Sequence, residues 1–409
     1  MRSVIQLGVM LAATVGAFSG MVLTAPAADV LYEAQMVFDP ADGSHGHVHA
    51  SCITQYPNGD LLVVWYENGA ELSSEYFSKD KDKSDNVRTG AAKRAGSAAT
   101  FDAPFVIADT FGLADNNPCV VVDRSEQLWL IRPTLLGVPD WSWGSALVRY
   151  QVSDNFQNQL QPVWKTQEIL VPHLPNLTEK LGTLMDEMLK KAPSPRLAMY
   201  RKELEKRLSQ PLIARLGWMP RNHPLVRNDG AVVLPLSNEN FNLAVMAITT
   251  DSGATWQFSQ PVPEVGLTQP TVVQYSDGKI SAFFRNGGPE RRIKRSDSDD
   301  GGMTWSAVTN TTLLHPGAGI EAVVLKNGHL VMVYNDKESG DRDQLAVSIS
   351  HDRGETWPYT RHLENTPQSR FDYPSVIQAL DGSIHVTYSY NLQTIKHVRL
   401  NEEWVEAGD

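Results

Sequence analysis

Cysteine is scarce in this chain of 409 residues: there are two, Cys52 and Cys119. Two thiols cannot build a four-ligand zinc site, and neither an HExxH nor an EF-hand pattern occurs, so no metal and no cofactor is expected. The pair could bridge in an oxidising compartment or stay as two small buried apolar groups. Positive charge is also in deficit, with 36 Lys and Arg against 47 Asp and Glu and a formal net charge of −11. Nothing resembles the basic stripe of a nucleic-acid binder, so no nucleic-acid partner is expected. An acidic ligand would need arginines gathered locally rather than a global field. Long hydrophobic runs are missing after the first two dozen positions; none later approaches the roughly 20 apolar residues that span a bilayer.

The start of the chain is set apart. Met1-Arg2 is a short positive region, positions 4–23 are almost wholly apolar or small, and Ala25-Pro26-Ala27 offers a small-x-small cleavage site. Residues 1–28 therefore read as a secretory signal peptide, leaving an exported mature chain, 29–409, in the periplasm or outside the cell. The rival reading is an N-terminal anchor.

What is present in quantity is repetition. Asp251-Ser252-Gly253-Ala254-Thr255-Trp256 recurs as Asp300-Gly301-Gly302-Met303-Thr304-Trp305 and as Asp352-Arg353-Gly354-Glu355-Thr356-Trp357, the aspartates standing 49 and 52 positions apart. A degenerate copy runs from Asp154 to Trp164. Polar hairpins fall between β-runs at Asn58-Gly59, Asp229-Gly230, Asp277-Gly278, Asn327-Gly328 and Asp381-Gly382, with a weaker one at Ser125-Glu126. Asn-Gly and Asp-Gly favour the primed turns of antiparallel hairpins. Six units of about 50 residues predict an all-β fold, a six-bladed β-propeller, with positions 30–37 completing the last blade and closing the ring. The Asp…Trp turns are expected to be structural: Asp154, Asp251, Asp300 and Asp352 accept backbone N–H bonds. Gly253, Gly302 and Gly354 take positive φ, and Trp256, Trp305 and Trp357 pack over the blades.

Residues 172–215 break the period. Leu181, Leu184, Met185 and Met188 make an apolar stripe at helical spacing, and Pro193-Ser194-Pro195 separates it from a second helical pattern at 196–208. The propeller is thus expected to carry an inserted helical hairpin, either a packing decoration or a wall of the site.

Function is expected where the inner strands begin near the axis. Aligning each inner strand to its hairpin selects His49, Asn117, His223, Gln269, Glu321 and Tyr373. The second strands add Glu67, Glu71, Arg132, Glu239, Arg285, Asn335, Arg342 and Tyr388, and Arg221 lies two residues before His223. Arg221, Arg285 and Arg342 come from three blades, and guanidinium forks suit a carboxylate or sulfate, so an acidic oligo- or polysaccharide is the expected partner. Glu321 enters an apolar strand, where a carboxylate must be paired or functional. It could take the proton of Tyr388 or Tyr373 and create a nucleophilic phenolate. His49 opens the first blade and is the candidate general acid or base.

With its repeated Asp…Trp turns, His49-Ala50-Ser51-Cys52-Ile53, Arg221-Asn222-His223-Pro224, Phe284-Arg285-Asn286-Gly287 and Tyr373-Pro374-Ser375, the chain resembles the Asp-box (BNR repeat) sialidase-like superfamily from about His47 to Trp404. The resemblance implies an exo-acting glycoside hydrolase removing a terminal acidic or uronate-linked sugar. An arginine triad would hold the carboxylate, a tyrosine–glutamate pair would supply the nucleophile, and an aspartate would be the acid/base. Arg221, Arg285, Arg342, Glu321 and Tyr388 match by blade position. The Arg-Ile-Pro motif of true sialidases is absent and no aspartate stands out as the acid/base; His49 occupies the first blade instead. Related propellers include polysaccharide lyases that cleave rhamnose–uronate linkages by β-elimination, for which His49, His223, Tyr373 and Arg285 would serve. A non-catalytic glycan-binding propeller is the third reading.

Overall fold

The six hairpins are the inner hairpins of six antiparallel sheets. A computed structural model of the chain describes residues 29–42, 45–69, 80–138, 140 and 142–409; the expected signal peptide and Glu71 lie outside the described residues. The inner strands lead their blades in chain order: Val48–Gln55, Cys119–Val122, Leu225–Val226, Leu267–Gln274, Glu321–Val324 and Phe371–Gln378. Each sheet has four or five strands, giving a six-bladed β-propeller. Central strands lose the alternation of a half-exposed sheet because a neighbouring blade covers either face. Leu61–Asn68 is buried along nearly its whole length, and Val232–Asn238 at every position.

Closure uses the first strand of the chain. Tyr32–Met36 pairs antiparallel with Thr394–Leu400 as the outermost strand of the sixth blade. The ring therefore opens and ends inside one sheet, leaving no seam between its termini. Polar latches join neighbouring blades at the centre. The Ser375 hydroxyl accepts from the Ile53 amide at 3.1 Å, Thr271 from Ala322 at 3.1 Å, and Ser237 from Gln269 at 3.1 Å.

The hairpin glycines take positive φ, from 89° to 91°, at Gly59, Gly230, Gly278, Gly328 and Gly382. The residues before them do not, so the expected primed turns are not formed. Gly59 donates to the Tyr56 carbonyl, and Tyr56 donates to the Asp60 carbonyl. That is a three-residue loop in which a turn ends on a left-handed glycine, as in hairpins with a bulge.

The three full Asp…Trp turns join the third and fourth strands of blades three to five, at the same end as the hairpins. In each, one aspartate oxygen accepts an amide and the other a threonine hydroxyl four residues on, at 2.9 and 2.6 Å for Asp300 with Thr304. A preceding hydroxyl, Ser298, donates to Asp300 and accepts the Gly302 amide. Asp251 and Asp352 repeat the pattern with Thr255 and Thr356. A Cβ on Gly253 would stand 2.8 Å from the Tyr150 ring, so this turn lies hard against blade two. Asp154 does not share the arrangement. Its carboxylate pairs with Lys165 at the surface, and Asn155 stands where the other turns have aspartate, its amide donating to Ser153. Both cysteines are buried and unbridged.

The insertion is helical. Helix α1 spans Leu177–Lys191, α2 Pro195–Leu208 and α3 Pro211–Arg215. Ser194 caps α2 by accepting from Leu197, and Pro195 begins it. Leu181 and Met185 of the predicted stripe are buried with Leu204 of α2 against Trp218 and Phe241. Arg201 ties the two helices together through Asp186 at 2.7 Å.

Candidate functional site

A cavity of ≈ 440 Å³ opens at the end of the propeller away from the Asp…Trp turns. A break in strand register builds its floor. In blades one, four and six the pairing slips between His49 and Cys52, Thr268 and Thr271, and Asp372 and Ser375. Within each slip one residue is left-handed: Ala50 (φ 54°), Gln269 (φ 49°) and Tyr373 (φ 49°); Asn117 (φ 35°) is its counterpart in blade two. Such bulges re-aim a side chain, here toward the axis, and non-glycine residues held at positive φ concentrate at functional sites.

Every one of these residues lies nine positions before the positive-φ residue of its hairpin, and the same count gives Arg221 in blade three and Gly319 in blade five. Gly319 is what the cavity requires there, because a Cβ would approach Tyr373 Cδ1 to 2.4 Å. Two positions further along come Cys52, Cys119, His223, Thr271, Glu321 and Ser375, a ring below the floor. Glu321 and His223 belong to that ring. The Glu321 carboxylate, 1% exposed, accepts from the amides of His223 (2.7 Å) and Val376 (3.0 Å) and pairs with His223 Nδ1 at 3.0 Å. Burial opposes charge on His223, but the Cys52 sulfur and the Glu321 carboxylate outweigh it and raise the imidazole pKa. Glu321 therefore ties blades three, five and six at the axis.

The expected pairing of Glu321 with Tyr388 is not formed. Tyr388 is fully buried in blade six and donates to Glu364 at 2.7 Å, and it does not line the cavity. Arg132 is held within blade two by Asp115 at 3.3 Å, and Asn335 donates to the Phe371 and Gln344 carbonyls, so neither reaches the cavity. Glu67 is saturated by His45, Trp65 and Arg88.

The structure brings together His49, Asn117, Gln269, Arg285, Arg342 and Tyr373. Tyr373 is their centre. Arg285 donates to its hydroxyl at 3.1 Å and to Gln269 Oε1 at 3.0 Å, and the Gln269 amide reaches the hydroxyl at 3.4 Å. The Arg221 guanidinium lies over the ring at 4.7 Å, and its own hydrogen bond goes to the Pro374 carbonyl. Burial alone would raise the tyrosine pKa; Arg285, Arg342, the Gln269 hydrogen bond and Arg221 overcome it and bring it below the ordinary value. Arg342 is held by the fully buried Asp372, which also pairs with Arg370.

Sequence reasoning passed over several lining groups, among them Tyr66, Asp82, Trp143 and Arg370. Tyr66 ends a second strand, the same signal that selected Arg285. Asp82 sits on the one-turn helix Lys81–Lys83, far from any β-pattern, and gives no sequence signal. It accepts from His47 at 2.7 Å and from the Tyr66 hydroxyl at 2.8 Å. Burial would raise its pKa, yet the His47 hydrogen bond, the charges of His49 and His47 and the Tyr66 bond bring it to about 2. Glu239, on the opposite lip, behaves the other way: burial raises its pKa, with only the Arg285 charge opposing. His49 is held neutral by burial, its pKa lowered to about 3, with its ring edge-on to Tyr373 at 4.6 Å. The cavity thus presents a phenol of lowered pKa, the guanidiniums of Arg285, Arg342 and Arg370, an ionised carboxylate and a carboxyl whose pKa burial raises.

Among the described residues, one group could hold a metal ion: His329, His351 and Glu402, where the hairpin of blade five meets helix α4 (Glu402–Glu406). It lies at the Asp…Trp end, away from the cavity. No described helix is long and apolar enough to cross a membrane.

The six-bladed propeller is similar in fold to solved sialidases. Residues 205–386 match the family model described as BNR repeat-like domain. A sialidase of Micromonospora viridifaciens is 24% identical over 177 residues, covering 40% of this chain; the match spans 26% of that protein, so the chain corresponds to about a quarter of its length. Among solved structures, the Hadza microbial sialidase Hz136 superposes over 91% of this chain and 69% of its own at TM-score 0.66 and 14% identity. A Dyadobacter fermentans protein of unknown function does so over 90% and 98% at TM-score 0.64 and 17% identity. At these identities the likeness is one of fold.

Proposed function

We propose that this protein is a glycoside hydrolase acting at an acidic sugar, with Tyr373 as nucleophile. The observation that supports this most is the Tyr373 hydroxyl at the cavity floor, bonded by Arg285 and Gln269 and surrounded by cationic groups. A phenolate is a competent nucleophile once its charge is stabilised, and three guanidiniums do so here. The same Arg285 and Arg342 are placed to bind the carboxylate of a uronate or sialic-type sugar.

In this reading the Tyr373 hydroxyl first loses its proton to solvent, and the phenolate stabilised by the arginines attacks the anomeric carbon as the bond to the leaving oxygen breaks. Glu239, whose pKa is raised by burial, gives its proton to that oxygen when protonated. Water then attacks the anomeric carbon, the carbon–Tyr373 bond breaks, and Glu239 takes the water proton. Gln269 stands where a carboxylate partner of the tyrosine would be needed; its amide orients the hydroxyl and cannot take the proton. Activation therefore falls to the arginines. Asp82, already ionised, is suited to stabilising positive charge developing on the sugar ring.

A second reading draws on that glutamine. With no carboxylate to relay its proton, Tyr373 could act as a base that removes the proton beside a uronate carboxylate neutralised by Arg285, with β-elimination of the leaving sugar. Incubation with sialoglycans, rhamnose–glucuronate oligosaccharides and ulvan in heavy-oxygen water separates the two. Hydrolysis puts one heavy oxygen on the released sugar. An unlabelled product with a new ultraviolet-absorbing double bond would overturn hydrolysis in favour of elimination. Binding without turnover would leave a glycan-binding module.

A further inference from the structure

Two more hollows adjoin the axial cavity. One, of ≈ 460 Å³, lies between helices α2 and α3 and the loop holding Trp143; it shares Trp143 and Glu239 with the cavity. The other, of ≈ 480 Å³, lies beside blades five and six and shares Arg342 and Arg370 with it. The three spaces thus adjoin through shared wall residues, on opposite sides of Tyr373. A site for one terminal sugar needs only a single closed pocket, whereas this one has a further hollow against each side.

We propose that the propeller face is a groove for an acidic oligosaccharide of at least three units, bound across the axis and not only by its end. The proposal rests on the function argued above for the central cavity. The walls differ in chemistry along the groove. At the blade five and six end, Arg342 and Arg370 face outward while sharing the buried Asp372, so their charge is only partly neutralised and suits an acidic unit. At the other end stands the half-buried Trp143 ring, with the Lys83 ammonium over it at 5.6 Å from its centroid; the remainder of the ring is an apolar surface for the C–H face of a sugar, and Lys206 of α2 stands beyond it. The helical insertion acquires a role in this arrangement: α2 and α3 make the far wall of the last subsite, facing the Trp143 loop and Glu239. Its attachment to the rim is built, since Asn240 donates to the carbonyls of Gly144, Ile213 and Leu216, joining blade three, the Trp143 loop and the insertion.

The test is a length series. Rhamnose–glucuronate and sialic acid ladders of one to five units would be titrated calorimetrically into the wild-type protein and the Lys206→Ala, Trp143→Ala and Arg285→Ala variants. The groove predicts at least a tenfold gain in affinity from one unit to three, and a plateau after that. Lys206→Ala should remove most of that gain while leaving the affinity for one unit unchanged, since it tests the wall without touching the central cavity; Trp143→Ala, whose ring also lines the central cavity, should weaken three units more than one. Equal affinity for one and three units in the wild type would overturn the groove while leaving the central site standing, provided Arg285→Ala abolishes binding at every length. If no length binds, or Arg285→Ala changes nothing, the central reading fails and the groove with it.

Discussion

The two ends of the same blades handle charge in opposite ways. At the hairpin end, Asp251, Asp300 and Asp352 find their donors within four residues in their own turns. At the cavity end, partners come from distant sequence: His47 with Asp82, Arg285 with Tyr373, Arg342 with Asp372. The first arrangement can be repeated blade after blade because it is local. The second exists once, because it needs six blades closed around one axis. The hairpin end is therefore held together turn by turn, and the cavity end by contacts between blades.

The largest effect expected from this contrast is at the cavity. Arg285→Ala and Tyr373→Phe should each lower kcat/KM by about 10²–10³-fold or more, because each removes charge stabilisation at the reacting centre. Thermal unfolding should change little. A parallel fall in melting temperature large enough to account for the lost activity would break the comparison.

Asp300→Ala should do the reverse. It leaves amide and hydroxyl donors of the turn without their acceptor, at a cost of about 1–3 kcal/mol. Chemical denaturation should show the loss, and the folded fraction should keep wild-type kinetic constants. A changed KM would mean that the two ends are coupled.

Acid should weaken the protein through groups outside the Asp…Trp turns. Burial holds His49 and His315 at a pKa of about 3 and His385 at about 4, all below an unfolded value near 6.5. Their folded values are depressed, so the stability they contribute is present above pH ~6.5 and is lost as pH falls, because the unfolded chain binds protons first. Each contributes up to about 1.4 kcal/mol per pH unit over that window. Melting temperature should decline steadily between pH 6.5 and 4, and His385→Asn should flatten the decline. An unchanged slope in that variant would remove His385 from the account.

The smallest effect separates two tyrosines. Tyr388→Phe removes one buried hydrogen bond to Glu364 and should cost about 1 kcal/mol of stability with kcat/KM within about twofold of wild type. A large activity loss would restore the Glu321–Tyr388 pairing expected from sequence.

The sequence was legible where its signals were short-range. The turn glycines and the Asp…Trp repeats each act over a few residues or one hairpin, so the six-bladed ring could be counted from them; the closing strand was inferred from that count, since its partner lies at the far end of the chain. The helical stripe of α1 was likewise local. Among site residues, those placed by the nine-residue count to the hairpin, Asn117, Gln269 and Tyr373, were found. His223 and Glu321 were read two positions too far along their strands, which moved them from the ring below the floor into the expected cavity. A slip in register of that size leaves a side chain on the same strand face, so apolar patterning alone could not expose it. Asp82 was missed because its helix carries no β-signal.

The amino-acid sequence by itself thus determined the blades, their number and the turns that staple them, since those depend on backbone propensities and hydrogen bonds over a few positions. Only the tertiary structure decided which tyrosine meets the arginines, that a glutamine rather than a glutamate accompanies it, and that the pKa of one carboxyl is raised while that of another is lowered. Those outcomes depend on burial and on charges brought from several blades, and neither exists until the ring is closed.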